Sequence, residues 1–189
     1  MFIHRSALLC DECGENEVIA LGMSGKEDDG DSNEWPQYSQ GSESDSPDHC
    51  DNCGDLLYEV TLTDDGREAV ALCLISGMHD ETLACEWSDH ADLPNPGVDH
   101  DWNLDAVRAW ADNLGTAVEA LETFEEAYMG QYDSEEDWAV QYVEDTGMLS
   151  NVGELAMYFD YKAFARDCQL GGDMTFLTCG LGVFAFSNY

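Results

Sequence analysis

Apolar residues at Leu104, Val107, Ala111, Leu114, Val118, Leu121, Phe124 and Tyr128 recur every three or four positions, which is the stripe of an amphipathic helix. Gly115 breaks the stripe, and Thr116 with Glu119 behind it forms an S/T-x-x-E capping box. The pattern predicts two consecutive helices, roughly Asn103–Leu114 and Thr116–Met129, the second stopped by Gly130. Ser134, with Asp137 three positions on, opens a third helix over Glu135–Thr146, and Gly147 sits where a left-handed C-cap is expected. Asp160 caps a fourth helix, Tyr161–Gln169, with Tyr161, Phe164, Ala165 and Cys168 on its buried face and Gly171-Gly172 at its end. Met174–Cys179 and Gly182–Ser187 read as strands joined by a Gly-rich turn.

The first half is organised differently. Met1 to about Tyr58 reads as one unit, and the apolar runs Leu56–Leu62 and Ala69–Ile75 flank Thr63-Asp64-Asp65-Gly66. Asp-Gly between apolar runs predicts a β-hairpin. Pro94-Asn95-Pro96-Gly97 is turn chemistry that marks a boundary. The predicted class is therefore α+β. It comprises a cysteine module with a hairpin over 1–75, a connector over 76–101, an acidic helical domain over 102–147 and a C-terminal helix-plus-hairpin dimerisation domain over 148–189.

Two C-x-x-C-G pairs, Cys10/Cys13 with Gly14 and Cys50/Cys53 with Gly54, lie in the first module. Each pair presents two thiolates on one tight turn, and two such turns supply the four ligands of a tetrahedral structural zinc site, as in a zinc ribbon. The alternatives are unmetallated turns or a redox C-x-x-C, although redox chemistry needs only one pair. Met78-His79-Asp80, Cys85, His90 and His100 match no defensible metal spacing and read as connector residues.

Charge changes the picture most. The chain carries 41 Asp and Glu against 6 Lys and Arg, a formal charge of −35 over 189 residues. Its hydrophobic content of 44%, with 11% aromatic, belongs to a folded protein rather than a disordered acidic tail. At one phosphate per ~1.7 Å of duplex axis, that charge equals roughly 60 Å of DNA. Such a surface repels nucleic acid and membranes and attracts proteins that bind polyanions, so neither direct nucleic-acid binding nor a membrane partner is expected. No run approaches the ~20 apolar residues of a membrane span, and MFIHRSALLC lacks the features of a signal peptide. The expected location is the cytoplasm, where the eight cysteines are thiols or metal ligands.

Between Asp99 and Asp145 there are fourteen acidic residues and one Lys or Arg, Arg108. Glu135, Glu136 and Asp137 lie in a predicted first turn, where the helix dipole favours them. Glu125, Glu126, Glu144 and Asp145 lie in last turns, where it does not. Glu119, Glu122 and Glu126 repeat on one face, and each like-charge neighbour costs about 0.2–0.5 kcal/mol. With Asp112 and Asp133, these eleven carboxylates are the candidate functional surface. Cβ atoms at such helical spacings stand about 5–6 Å apart, a separation comparable to that of neighbouring phosphates.

Phe124 to Tyr128 and Gly130, then Asp137-Trp138-Ala139 and Tyr142-Val143-Glu144-Asp145-Thr146-Gly147 form a run of motifs. Tyr158-Phe159-Asp160-Tyr161-Lys162-Ala163-Phe164-Ala165-Arg166-Asp167 and the closing Gly182-Val183-Phe184-Ala185-Phe186 complete it. This run resembles the antirestriction ArdA family over roughly Asn103 to Tyr189. The resemblance implies an elongated, non-catalytic DNA mimic borne by a plasmid, phage or transposon in a bacterial host. Such proteins dimerise and occupy the DNA-binding groove of type I restriction–modification enzymes. The family's N-terminal β-rich domain is not recognisable, and the cysteine module stands in its place. Tyr158, Tyr161, Phe164 and Arg166 read as core and fold-defining positions. Val183-Phe184-Ala185-Phe186, strongly apolar on so acidic a chain, is the expected dimer contact together with the helix from Tyr161.

Three rivals compete. A halophilic protein would spread its carboxylates evenly. An acidic zinc-ribbon adaptor would bind a basic protein partner through the same electrostatics. An enzyme is the weakest reading: no nucleophile elbow, H-E-x-x-H or phosphate-cradling loop is present, and all five histidines (4, 49, 79, 90, 100) precede the resembling half.

Overall fold

The computed structural model describes residues 1–23, 31–77 and 80–188. The chain is α+β and folds as two compact units, one comprising Met1–Leu104 with Thr116–Val118, the other Asp105–Gly115 with Glu119–Tyr189.

In the first unit, β1 (Phe2–His4) pairs antiparallel with β2 (Ala7–Leu9) and with β3 (Gln37–Tyr38). The β1–β2 turn is Arg5-Ser6, with both residues at positive φ (53° and 68°). The backbone is that of a primed hairpin turn without the Gly or Asn that would advertise it. Helix α1 (Asp11–Ala20) follows. Strand β4 (Ser42–Ser44) then runs parallel to β5 (Val60–Leu62), with Ser42 opposite Val60. Met1, Leu9, Cys50, Leu57 and Val60 make the small core here.

The hairpin expected around Asp65-Gly66 does not form. Residues Asp64–Ser76 are a helix, α2. Thr63 is its N-cap and accepts from the Gly66 amide at 3.1 Å, Asp64 and Asp65 fill the first turn, and Gly66, Val70, Ala71, Leu74 and Ile75 are its buried side. That spacing is helical, not alternating. Gly66 serves packing rather than a turn, since a Cβ there would stand 2.8 Å from the Ser44 carbonyl oxygen. The connector likewise holds a helix, α3 (Glu81–Ala91), whose N-cap Asp80 accepts from the amides of Thr82 and Leu83 at 3.1 Å.

Helices α4 (Leu104–Leu114) and α5 (Ala117–Ala127) follow the predicted stripe, but α5 stops before Met129. Tyr128–Tyr132 is a strand, β6, and Gly130 lies inside it at φ 127° instead of ending a helix. Helix α6 (Glu135–Thr146) has the predicted bounds. Ser134 accepts from the Asp137 amide, and Gly147 is left-handed at φ 63°. A 3-10 turn (Gly153–Tyr158) leads to α7 (Tyr161–Gly171), capped by Asp160. Strands β7 (Met174–Cys179) and β8 (Gly182–Ser187) form the expected hairpin, and β6 adds to it, giving the antiparallel order β6-β8-β7.

Trp138, Ala139, Ala165, Met174, Phe176 and Ala185 form a core between α6, α7 and the sheet. Phe186 is fully buried between Trp110 and Phe124. Phe184 and Ala185 are also buried. The apolar C-terminal run is thus interior to its own unit, and the feature that pointed to it as a dimer contact has another explanation.

Candidate functional surface and thiolate site

The carboxylates are placed by the helices that carry them. Asp112 lies in the last turn of α4, Glu125 and Glu126 in that of α5, and Glu144 and Asp145 in that of α6. None of these three turns contains a basic residue. Glu119 and Glu122 lie earlier on α5, and Asp133 precedes α6. Glu135, Glu136 and Asp137 fill the first turn of α6. Ten of the eleven are exposed and Glu135 is half-buried. Asp137 Oδ2 accepts from the Ser134 hydroxyl at 2.5 Å, and Asp145 accepts from Gln141 at 2.8 Å. Arg108 pairs within its own helix with Asp105 at 2.8 Å.

The motif residues divide by burial. Phe124 and Ala165 are buried; Tyr128, Tyr142, Phe159, Tyr161 and Phe164 are half-buried; Asp160 accepts from the Ala163 amide at 2.9 Å. Tyr158 and Arg166 are not core residues. Tyr158 is 77% exposed, and Arg166 reaches Asp167 at 3.2 Å on the surface. A tyrosine after an apolar run suggests burial, but the 3-10 turn has no buried residue at all.

In the first unit Cys10, Cys13, Cys50 and Cys53 converge, their sulfurs all within 4.8 Å of one another. Cys10 Sγ and Cys53 Sγ are 3.8 Å apart, the separation of about 3.8 Å that four sulfurs at ~2.3 Å from a tetrahedral zinc would have. The two pairs are built differently. In both, the glycine amide donates to the first cysteine's carbonyl, Gly14 to Cys10 at 2.9 Å and Gly54 to Cys50 at 2.8 Å, but only the second is a tight turn with its glycine left-handed, Gly54 at φ 83°. The first is not the expected glycine-curled turn: Cys10 is the N-cap of α1 and Cys13 lies in its first turn. Gly14 is helical, and the position takes glycine because a Cβ there would overlap the Phe2 ring.

Burial opposes ionisation of Cys50, but amides of Cys53, Cys10 and Asn52 hydrogen-bond its sulfur and outweigh that, bringing its pKa from 9.0 down to about 6. The Asp55 amide favours the Cys53 thiolate, yet its side-chain bonds to Cys50 and its neighbours prevail and raise its pKa. Asn52 Nδ2 donates to Cys13 Sγ at 3.2 Å. Donor type, spacing and amide bonding all fit a thiolate-bound metal. Among the described residues no other set of three or more His, Cys, Asp or Glu converges in this way, and His79 lies outside them.

One capping contact has no local sequence signal. Glu68 on α2 accepts from the Thr116 hydroxyl at 2.9 Å and from the amides of Ala117 and Val118 at 2.6 and 3.1 Å. A carboxylate 48 or more residues away thus binds the first turn of α5.

The family model described as "Antirestriction protein (ArdA)" matches residues 68–182, more than half of the chain. The match begins within α2, well before Asn103, and the four cysteines precede it. No curated protein and no solved structure matches the chain. Among the described residues no helix is long and apolar enough to cross a membrane.

Proposed function

This chain belongs to the ArdA family of antirestriction proteins, and from that premise we propose that it inhibits type I restriction–modification enzymes by occupying their DNA-binding groove. The carboxylates on α4, α5 and α6 stand in for backbone phosphates, and no chemistry is performed. One observation carries the reading: three successive helices place exposed carboxylates in last turns devoid of basic residues, where the macrodipole makes negative charge unfavourable. Folding does not select that arrangement, whereas a groove lined with lysine and arginine does. A fixed acidic surface also avoids the deformation cost that DNA incurs on bending into a protein. The site of action is the cytoplasm of a bacterial host carrying the mobile element that encodes the protein.

The N-terminal thiolates hold a structural zinc ion, which contributes folding energy to a unit with a small core. It has no place in the inhibition itself. The chain acts as a homodimer. The most exposed apolar residues of the second unit, Leu155, Met157, Tyr158, Leu170 and Leu181, are available for that contact. The functional reading is tested by competition: raising DNA concentration must raise the amount of protein needed for half-inhibition in proportion. Inhibition insensitive to DNA would instead fit an acidic adaptor that binds elsewhere on a basic partner.

A further inference from the structure

The first unit carries a cleft of about 400 Å³, lined by residues that all precede the segment matched by the family model. One wall is a stripe of α1, Cys13, Asn16, Glu17 and Ala20, at the three- and four-residue spacing of a single helix face. The rest is His4, Ala7 and Leu9 of the β1–β2 hairpin, with Asp51 and Asn52 from the second cysteine turn. His4 is the unusual member. It is 4% exposed, its Nδ1 lies 3.3 Å from Glu17 Oε1, and its Nε2 is buried with no hydrogen-bond partner. A carboxylate only accepts, so Nδ1 carries the proton of the neutral ring, and Nε2 is left as a buried acceptor that the fold does not use. Buried polar atoms are nearly always partnered in folded proteins, and this exception belongs to the wall of a cleft.

The neighbouring groups are spare acceptors too. Asn52 donates its amide nitrogen to Cys13 Sγ at 3.2 Å, which leaves its carbonyl oxygen unused. Asp51 Oδ2 accepts from the Leu8 amide at 2.7 Å, which leaves Oδ1, and Glu17 Oε1 faces His4, which leaves Oε2. Among the described residues no Lys or Arg lines the cleft. Such a lining selects a ligand that only donates. Neither carboxylate has both oxygens free, so it cannot offer the two-pronged grip that a guanidinium takes. The three donors of a primary ammonium can each meet a separate acceptor instead. Ala7, Leu9 and Ala20 supply apolar surface for an aliphatic stem. We propose that this cleft binds a primary ammonium on an aliphatic chain, carried by a free polyamine or by a lysine side chain. The assignment does not rest on the antirestriction reading, whose carboxylates lie on α4, α5 and α6.

The test uses the full chain, purified with zinc and labelled with nitrogen-15 in its histidine rings, at about 0.15 M salt so that general attraction to an acidic chain is screened. n-Butylammonium should move the His4 Nε2 resonance to lower frequency, as acceptance of a hydrogen bond requires. Tetramethylammonium has the same charge without N–H donors, and n-butylguanidinium has donors in a planar fork. Both should move it several-fold less at equal millimolar concentration. Equal shifts with tetramethylammonium, or no shift with n-butylammonium, overturn the proposal.

Two further arms place and name the ligand. Glu17→Gln should weaken n-butylammonium binding about tenfold or more. Glu15→Gln, which removes an exposed α1 charge outside the cleft, should weaken it less than about twofold. Equal losses would contradict the assignment to this cleft, and if Glu17→Gln does not fold, the wild-type ring shifts decide alone. Spermidine and Nα-acetyl-lysine methylamide are then titrated against the same nitrogen. Tighter binding of spermidine assigns the cleft to free polyamines, and the reverse order assigns it to a protein lysine. Failure of both overturns the proposal.

Discussion

Trp110 and Phe186 lie face to face, with ring centroids 4.4 Å apart and planes within 8° of parallel. The pair ties α4 to the central strand of the sheet, and Phe124 meets the same phenyl ring edge-on at 6.1 Å. Phe186→Ala is therefore expected to destabilise the protein by about 3–5 kcal/mol, read as a lowered urea midpoint by tryptophan fluorescence. Phe186→Leu, which keeps most of the volume, should cost clearly less. A change below about 1 kcal/mol for the alanine variant would mean that this ring is not part of the core.

The same contact explains what the amino-acid pattern could and could not reveal. Helix α6 was legible to its last residue because both ends carry local chemistry, Ser134 with Asp137 and Gly147. The β7–β8 hairpin was legible for the same reason, being local in sequence. Strand β6 was not: Tyr128 continues the helical spacing of Phe124, and the partner that draws it into a sheet, Phe186, lies far along the chain. Helix α2 is masked in the sequence because Asp-Gly is turn chemistry in most settings, whereas here the glycine answers to the Ser44 backbone. The four cysteines announced their convergence through paired spacing alone. Glu68 announced nothing, because its partners are remote in sequence and ordinary in type.

Glu68 gives a pH-dependent test. Burial raises its pKa, but the Ala117 and Val118 amides and the Thr116 hydroxyl outweigh it, and the carboxyl is held below its ordinary 4.5. A depressed carboxylate contributes stability in full above its unfolded pKa, and that contribution is lost as pH falls through the folded value. Glu68→Ala should cost about 1 kcal/mol at neutral pH. Glu68→Gln should keep part of the cap while removing some of the acid-induced loss below pH 4.5. Urea unfolding at pH 3.5 to 7 distinguishes them. Parallel curves for wild type and Glu68→Gln would exclude this carboxylate from the acid transition.

The thiolate cluster predicts about one zinc per chain by elemental analysis. Cobalt substitution should give the intense visible bands of tetrahedral thiolate coordination, lost in Cys50→Ser. Chelation should release amide protection around the Leu8–Asp51 contact, where the Asp51 amide meets the Leu8 carbonyl at 2.8 Å. A protein with this contact equally protected and no bound metal would contradict the zinc assignment.

Under the proposed mimicry, charge removal should act in a graded way, since many carboxylates share one field. Glu119→Gln, Glu122→Gln, Glu125→Gln and Glu126→Gln should each weaken inhibition less than about threefold, at ~0.2–0.7 kcal/mol per exposed charge. All four together should weaken it by more than tenfold at low salt and much less at high salt. Circular dichroism should show helicity retained or raised, because the substitutions relieve like-charge contacts. Abolition by any single change would point to one specific site instead of a distributed surface.

The most direct test titrates this protein against a type I enzyme at fixed DNA while both endonuclease and methyltransferase activities are followed. Occupation of the shared DNA groove predicts that the two fall together, reaching baseline near stoichiometric protein at low salt, and recover together as DNA or salt is added. If one activity falls without the other, or neither falls at stoichiometric protein, the acidic surface is not standing in for DNA.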